Sequence, residues 1–250
     1  MSNNFFRPLF WPTVFTAVLV PIMIGLGLWQ FQRLDWKTDL IQRMKTRMVE
    51  EPQPLPPPGD WASLDLKDLE YRPFTVTGHF LNGKEMHYFT QDRDTAVPGY
   101  LLITPLEIES ASGKPAYVLV DRGFVPMQLA DPATRPGSEP EGEVTITGFL
   151  RENERRGVFS ANDEVEKNVW MVRDVQKMAK AADVKPYAPF MLQADGTVPE
   201  GTWPKPRRVH VDLPNNHFDY ALTWLGLAGV LLGIYVGYHR TQGRIGRPKK

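Results

Sequence analysis

A chain of 250 residues has room for one domain of ordinary size plus anchoring segments. Its 29 lysines and arginines balance 29 aspartates and glutamates, which argues against a nucleic-acid binder, since that would need a basic surplus to meet phosphates. Cysteine is absent, so disulfides, thiolate metal sites and thiol nucleophiles are excluded.

The first eight residues, with Arg7, read as a cytoplasmic N-terminus. Between Pro8 and Gln32 no charge interrupts LFWPTVFTAVLVPIMIGLGLWQFQ, so a membrane span is predicted over residues 9–32. Pro12 and Pro21 would damage a soluble helix but are tolerated within a bilayer. A cleaved signal peptide is the alternative. The run is long, however, and ends in bulky Leu28, Trp29 and Gln30, which favours a retained anchor.

Residues 33–58 continue as an amphipathic helix and a proline-rich linker. Trp36, Leu40, Met44 and Met48 recur at four-residue spacing beside Ile41, and PQPLPPPGD follows as a stiff, extended stretch. Residues 59–214 then form the main domain. Strands are predicted at 71–80, 85–90, 100–108, 117–125, 144–150 and 187–194, all rich in β-branched and aromatic residues, with a short helix over 173–182. Asn82-Gly83 reads as a hairpin turn between the first two strands, and Ser112-Gly113 does the same between the third and fourth. Residues 130–142, with three prolines and two glycines, form a surface loop. The predicted fold is α+β: two transmembrane helices enclosing an extracytoplasmic antiparallel β-rich domain, barrel- or sandwich-like, with one or two helices.

The second span is predicted over residues 217–239. Pro214-Asn215-Asn216 supplies a stop and then a cap, and Asp219 suits the positive helix start. The tail over 240–250 carries five basic residues and no acid. By the positive-inside rule both termini are then cytoplasmic and the central domain lies outside. Five basic residues between Arg33 and Arg47 run against that rule, but long translocated segments largely escape it.

No GxSxG, Walker loop, HExxH or dinucleotide-binding glycine fingerprint is present, so no enzyme is indicated. Asp121-Arg122-Gly123 reads as an ion pair or turn at a strand end, Asp92-Arg93-Asp94 as a solvated loop, and His79 with His87 as exposed strand residues flanking the Asn-Gly turn. The second span carries more. On a helix turning about 100° per residue, Tyr220, Trp224, Leu231 and Tyr235 fall within about 60° of His217. Gly226, Gly229, Gly233 and Gly237 cluster opposite, suited to close helix approach. If that glycine face packs on the first span, the His217 face points to lipid or to a partner. At the matching level, Trp29, Arg33 and Trp36 share one face of the first helix, with Gln30 beside them. An imidazole can ligate heme iron, aromatic rings can flank a porphyrin and arginine can pair with its propionates. An interfacial histidine in an ordinary aromatic belt is the other reading.

GLGLWQFQRLDWKTDLI from Gly25, YRPFTVTGHF from Tyr71, GYLLITPLEI from Gly99, VLVDRGFVP from Val118 and NNHFDYALTWLGLA from Asn215 occur in this order. Together they closely resemble the Surfeit locus protein 1 family of cytochrome c oxidase assembly factors, in its bacterial type. The resemblance implies a membrane-bound, non-enzymatic chaperone for biogenesis of the respiratory chain, multi-pass in the cell inner membrane, with a periplasmic central domain. It implies heme a as cofactor and oxidase subunit I as partner, with heme a synthase as a further one. It makes His217 the natural candidate for the axial metal ligand and Trp29, Gln30, Arg33 and Trp224 cofactor contacts, to which the aromatic stripe adds Tyr220. Phe124 stands where a tryptophan is common in the family.

Overall fold

The computed structural model describes residues 7–92, 94–110, 113–154, 156–157, 160–207 and 215–244. Residues 1–6, Arg93, Ser112, Pro214 and residues 245–250 of the basic tail lie outside them. In chain order the elements are α1 (Phe10–Met48), β1 (Gln53–Pro54), α2 (Leu66–Leu69), β2 (Pro73–Phe80), β3 (Met86–Gln91), β4 (Pro98–Glu109), β5 (Pro115–Pro126), β6 (Glu143–Arg151), β7 (Val169–Trp170), α3 (Val175–Ala181), β8 (Tyr187–Ala194) and α4 (His217–Thr241). They divide into a helical unit, residues 1–43 with 212–250, and a β-rich unit, residues 44–211.

In the helical unit, α1 and α4 are both long and apolar enough to cross a membrane, and most of their surface is uncovered by protein. A core helix of a soluble protein would be buried; these two expose Phe15, Val18, Ile22, Val230 and Ile234, as a lipid-facing pair does. Pro12 sits in the first turn of α1, where its missing N–H costs nothing. Pro21 is interior, and the helix runs through it.

The β-rich unit is a closed sheet. Strands run β2-β6-β8-β5-β4, and a further pairing of β2 with β4 joins the ends, so a barrel rather than a sandwich is formed. β3 extends β4 outward, β7 extends β3, and the two-residue β1 lies parallel on β2. All barrel pairs are antiparallel except β5 with β8. One core fills the interior, built from Phe74, Val76, Leu106, Val118, Val120, Leu150, Phe190 and Leu192, with Trp61 inserted. A second core lies on the other face of β4, β5 and β8, where α3 packs Val175, Met178 and Ala179 over Leu101, Leu119 and Met191. Being covered on both faces explains why β4 and β5 read as near-continuous apolar runs rather than alternating ones.

Two local expectations change. Asn82-Gly83 does not close a hairpin: β2 and β3 are not partners, and both pair with β4, at Phe80↔Leu106 and Met86↔Ile103. Residues Asn82–Lys84 form a single 3-10 turn that lets one strand direction resume after a jog. Neither Asn82 nor Gly83 takes positive φ, so the pair's usual hairpin signal is unused. Gly113, by contrast, does turn with φ +69 between β4 and β5, which pair antiparallel throughout.

Asp121-Arg122-Gly123 is not at a strand end but inside β5. Partners Leu101↔Phe124 and Ile103↔Asp121 leave one extra residue on β5, a bulge. Gly123 takes φ +126, and a Cβ there would lie 2.2 Å from the Lys205 carbonyl oxygen. Only glycine fits.

Candidate functional site

The seam between α1 and α4 carries the residues singled out on the spans. Thr16, Val20 and Gly27 are the buried positions of α1, and Ala221, Ala228 and His239 those of α4. A Cβ on Gly27 would stand 3.0 Å from the Leu225 side chain, so this glycine is what brings the helices close. The four glycines of α4 do not: Gly226, Gly229, Gly233 and Gly237 have nothing within 4 Å of a would-be Cβ among the described residues. The expectation that the glycine face meets the first span is therefore reversed. The His217 face meets α1, and the glycine face stands open. The cause is size matching: α4 offers alanine at the heptad-spaced Ala221 and Ala228, and α1 supplies the small partner itself.

His217 consequently touches α1. Its Nδ1 donates to Gln30 Oε1 at 2.7 Å, and the ring is half-buried. With that bond made, Nδ1 carries the proton and Nε2 carries the lone pair. Among the described residues Nε2 has no hydrogen-bond partner. Two residues before His217, Asn215 Nδ2 donates to Thr38 Oγ1 at 3.2 Å. Asn216 occupies the N-cap of α4 as expected, yet its side chain makes no capping bond. The two asparagines thus act differently, one as tether and one as bare cap.

The remaining site candidates sort by flank. Phe31 and Phe218 meet edge to face at 6.3 Å between centroids, which fixes one side of the antiparallel pair. At about 100° per residue, Trp29 and Arg33 stand about 200° and 240° round α1 from Gly27, on the side turned away from α4, while Tyr220 lies on the flank of α4 opposite Phe218. Trp29 is 53% exposed and Tyr220 54%. The Arg33 guanidinium lies 4.0 Å over the Trp36 ring, with no carboxylate partner among the described residues. Trp224 is half-buried nearer the seam. The structure therefore gathers His217 with Gln30, keeps Tyr220 and Trp224 on the same side of α4, and turns Trp29 and Arg33 to the outer side of α1.

One residue escaped the sequence reading. His239 is fully buried at the far end of the seam, where Nε2 accepts from Leu9 N–H at 3.1 Å and Nδ1 donates to the Tyr235 carbonyl at 2.9 Å. Leu9 precedes the first turn of α1, whose N–H groups need acceptors from outside the helix. Thr13 and Tyr235 hydroxyls bond at 2.9 Å alongside. The available signal was a histidine closing an apolar run, four residues after a tyrosine.

The β-rich unit buries charge of a different kind. Glu85 is pinned by Arg135, which also donates to Ser138 Oγ and to the Leu129 carbonyl; Arg122 faces it at 3.6 Å and lies over the Phe80 ring. His87 approaches the same carboxylate at 3.3 Å and stacks near Tyr100. His79 remains exposed on β2, so the two histidines neither pair nor share exposure. This network ties the loop over 130–142 to the barrel, and burial pulls the Arg122 pKa down. On the bulge, Asp121 accepts from Gly123 N–H at 3.0 Å. Desolvation raises its pKa, although Arg207, Arg173 and Arg151 act against the shift. Asp92 caps its own turn by accepting from Thr95 and Asp94, and the Thr95 hydroxyl bond lowers its pKa. These are structural roles. Among the described residues no group of three or more histidine, aspartate or glutamate side chains could hold a metal ion. A single imidazole at the seam is a different proposition, because heme brings four ligands of its own.

The sequence pattern of the SURF1 family matches residues 17–229. The chain belongs to the SURF1 family. Among the family's curated relatives, it is 36% identical to Surfeit locus protein 1 of Gallus gallus, over 84% of this chain and 70% of the relative. It is 34% identical to Surfeit locus protein 1 of Homo sapiens, over 84% and 72% of the two chains. With the SURF1-like protein of Caenorhabditis elegans the identity is 33%, over 90% and 74%. The matched region includes α1 from its third turn, the whole β-rich unit and the first half of α4, and so includes the His217–Gln30 pair.

Proposed function

We propose that this chain is an assembly factor for cytochrome c oxidase that binds heme a, or hands it over, during maturation of subunit I. Family membership supports the oxidase part. The observation that carries the heme part is the His217 imidazole, whose Nδ1–H is engaged by Gln30 while Nε2 has no hydrogen bond among the described residues. A ligating histidine needs that arrangement: one nitrogen oriented by a hydrogen bond, the other open. Bound heme supplies an iron that accepts Nε2 and two propionates that seek cations. Exposed Tyr220 provides ring surface on the His217 side of α4, and Arg33, round α1 from Gln30, is a cation with no carboxylate partner among the described residues. The imidazole is a donor of the kind that heme iron takes.

The role is non-enzymatic. The protein sits in the inner membrane with both termini cytoplasmic and the barrel periplasmic, and the exposed Tyr220 side of α4 is where subunit I, or heme a synthase, would reach the cofactor. Purification from cells that make heme a tests this. Wild type is expected to carry a heme spectrum that survives detergent exchange, and His217→Ala to lose it. Persistence of heme in His217→Ala overturns the ligand assignment, and absence of heme from clean wild type overturns heme binding.

A second reading, a cofactor-free scaffold that steadies an oxidase intermediate, is favoured by the open glycine face of α4. It accounts for wild type without heme.

A further inference from the structure

Gln30 stands in the sequence reading as a cofactor contact. Its amide oxygen accepts from His217, 2.7 Å from Nδ1. A neutral imidazole in water prefers its proton on Nε2, the form in which Nε2 cannot ligate. A carbonyl-type acceptor at Nδ1 reverses the preference. Two features hold the acceptor in place. Gln30 is half-buried in the seam, one turn from Gly27, where Leu225 closes the gap. Asn215, two residues before His217, is tethered to Thr38 on the same α1. Backbone and side chain of His217 are thus both fixed from α1, before any ligand arrives.

We propose that Gln30 is a positioning residue: it holds the neutral His217 ring as the Nδ1–H tautomer, so that Nε2 alone is presented for ligation. This rests on the heme reading for its purpose but not for its geometry. Gln30 touches no cofactor; it acts through the histidine, as outer partners of metal-bound imidazoles do. A consequence distinguishes it from a packing role. Gln30→Glu keeps an oxygen acceptor at the same reach and retains the tautomer, whereas Gln30→Ala and Gln30→Leu remove it.

The test begins with the heme-free full-length protein, labelled with 15N-histidine, at a pH where the rings are neutral. The expected long-range proton–nitrogen spectrum shows His217 protonated on Nδ1 in wild type and Gln30→Glu, and on Nε2 in Gln30→Ala. A wild-type His217 protonated on Nε2, or a Gln30→Ala spectrum identical to wild type, overturns the proposal. Hemin titration then gives the second readout. Gln30→Ala is expected to bind about 10–100-fold more weakly, with Gln30→Glu near wild type. Equal weakening in both variants would mean packing and would overturn the positioning role. Failure of the heme reading shows differently: His217→Ala would bind hemin as well as wild type does, while the wild-type tautomer result stood unchanged.

Discussion

The barrel and the helix pair both bury polar side chains, and they do so to opposite ends. In the barrel, Glu85 is enclosed by Arg135, Arg122 and His87, and every member of that group ties a loop or strand to its neighbour. Along the helix pair, polar groups occur at the two ends of the seam, and at each end a histidine receives a fixed tautomer from what it touches. His239 uses both nitrogens on backbone groups. His217 uses one. A polar group with all its partners supplied from within is architecture; one with a nitrogen left over is available for chemistry. That difference sets the two histidines of the seam apart.

The contrast can be broken most forcefully at Glu85. Glu85→Gln leaves Arg122 and Arg135 buried without their carboxylate, and a loss of about 3–5 kcal/mol is expected in denaturant unfolding. Little change would mean that the network is not what holds the loop over 130–142. On the helical side the effect is smaller and concerns geometry. The chain has no cysteine, so Thr38→Cys with Asn215→Cys provides a clean crosslink across a contact of 3.2 Å. Adding Gly27→Leu is expected to cut crosslinking several-fold, since Leu225 already fills that space. Adding Gly233→Leu is expected to leave it unchanged, and an equal drop would restore the glycine face to the seam.

Much of this architecture is legible in the sequence. The strand at 187–194 is found at those residues, and the others lie within a few residues of their predicted limits, because β-branched and aromatic runs between turn residues leave few alternatives. What failed was pairing. Asn82-Gly83 has the composition of a hairpin, but β4 is long enough to accept β2 and β3 in succession, and no local signal reports the length of a distant partner. Burial of Asp121-Arg122-Gly123 failed for a related reason: charged residues look like a strand end until a bulge and a crossing segment at Lys205 enclose them. On the spans, helical periodicity found the right stripes and assigned the wrong one to the seam. The four glycines of α4 drew attention by number, whereas packing is decided by Gly27 on the other helix. The Gln30–His217 bond, joining residues 187 apart, had no sequence signature at all.

Heme binding at this seam stands or falls on one nitrogen. Hyperfine spectroscopy of the ferric heme complex, prepared with 15N-histidine, reads directly whether an imidazole nitrogen is bonded to iron. A histidine coupling in wild type that vanishes in His217→Ala and survives in Gln30→Glu is the expected result. A loaded wild-type protein with no histidine coupling, or one whose coupling persists without His217, would contradict it.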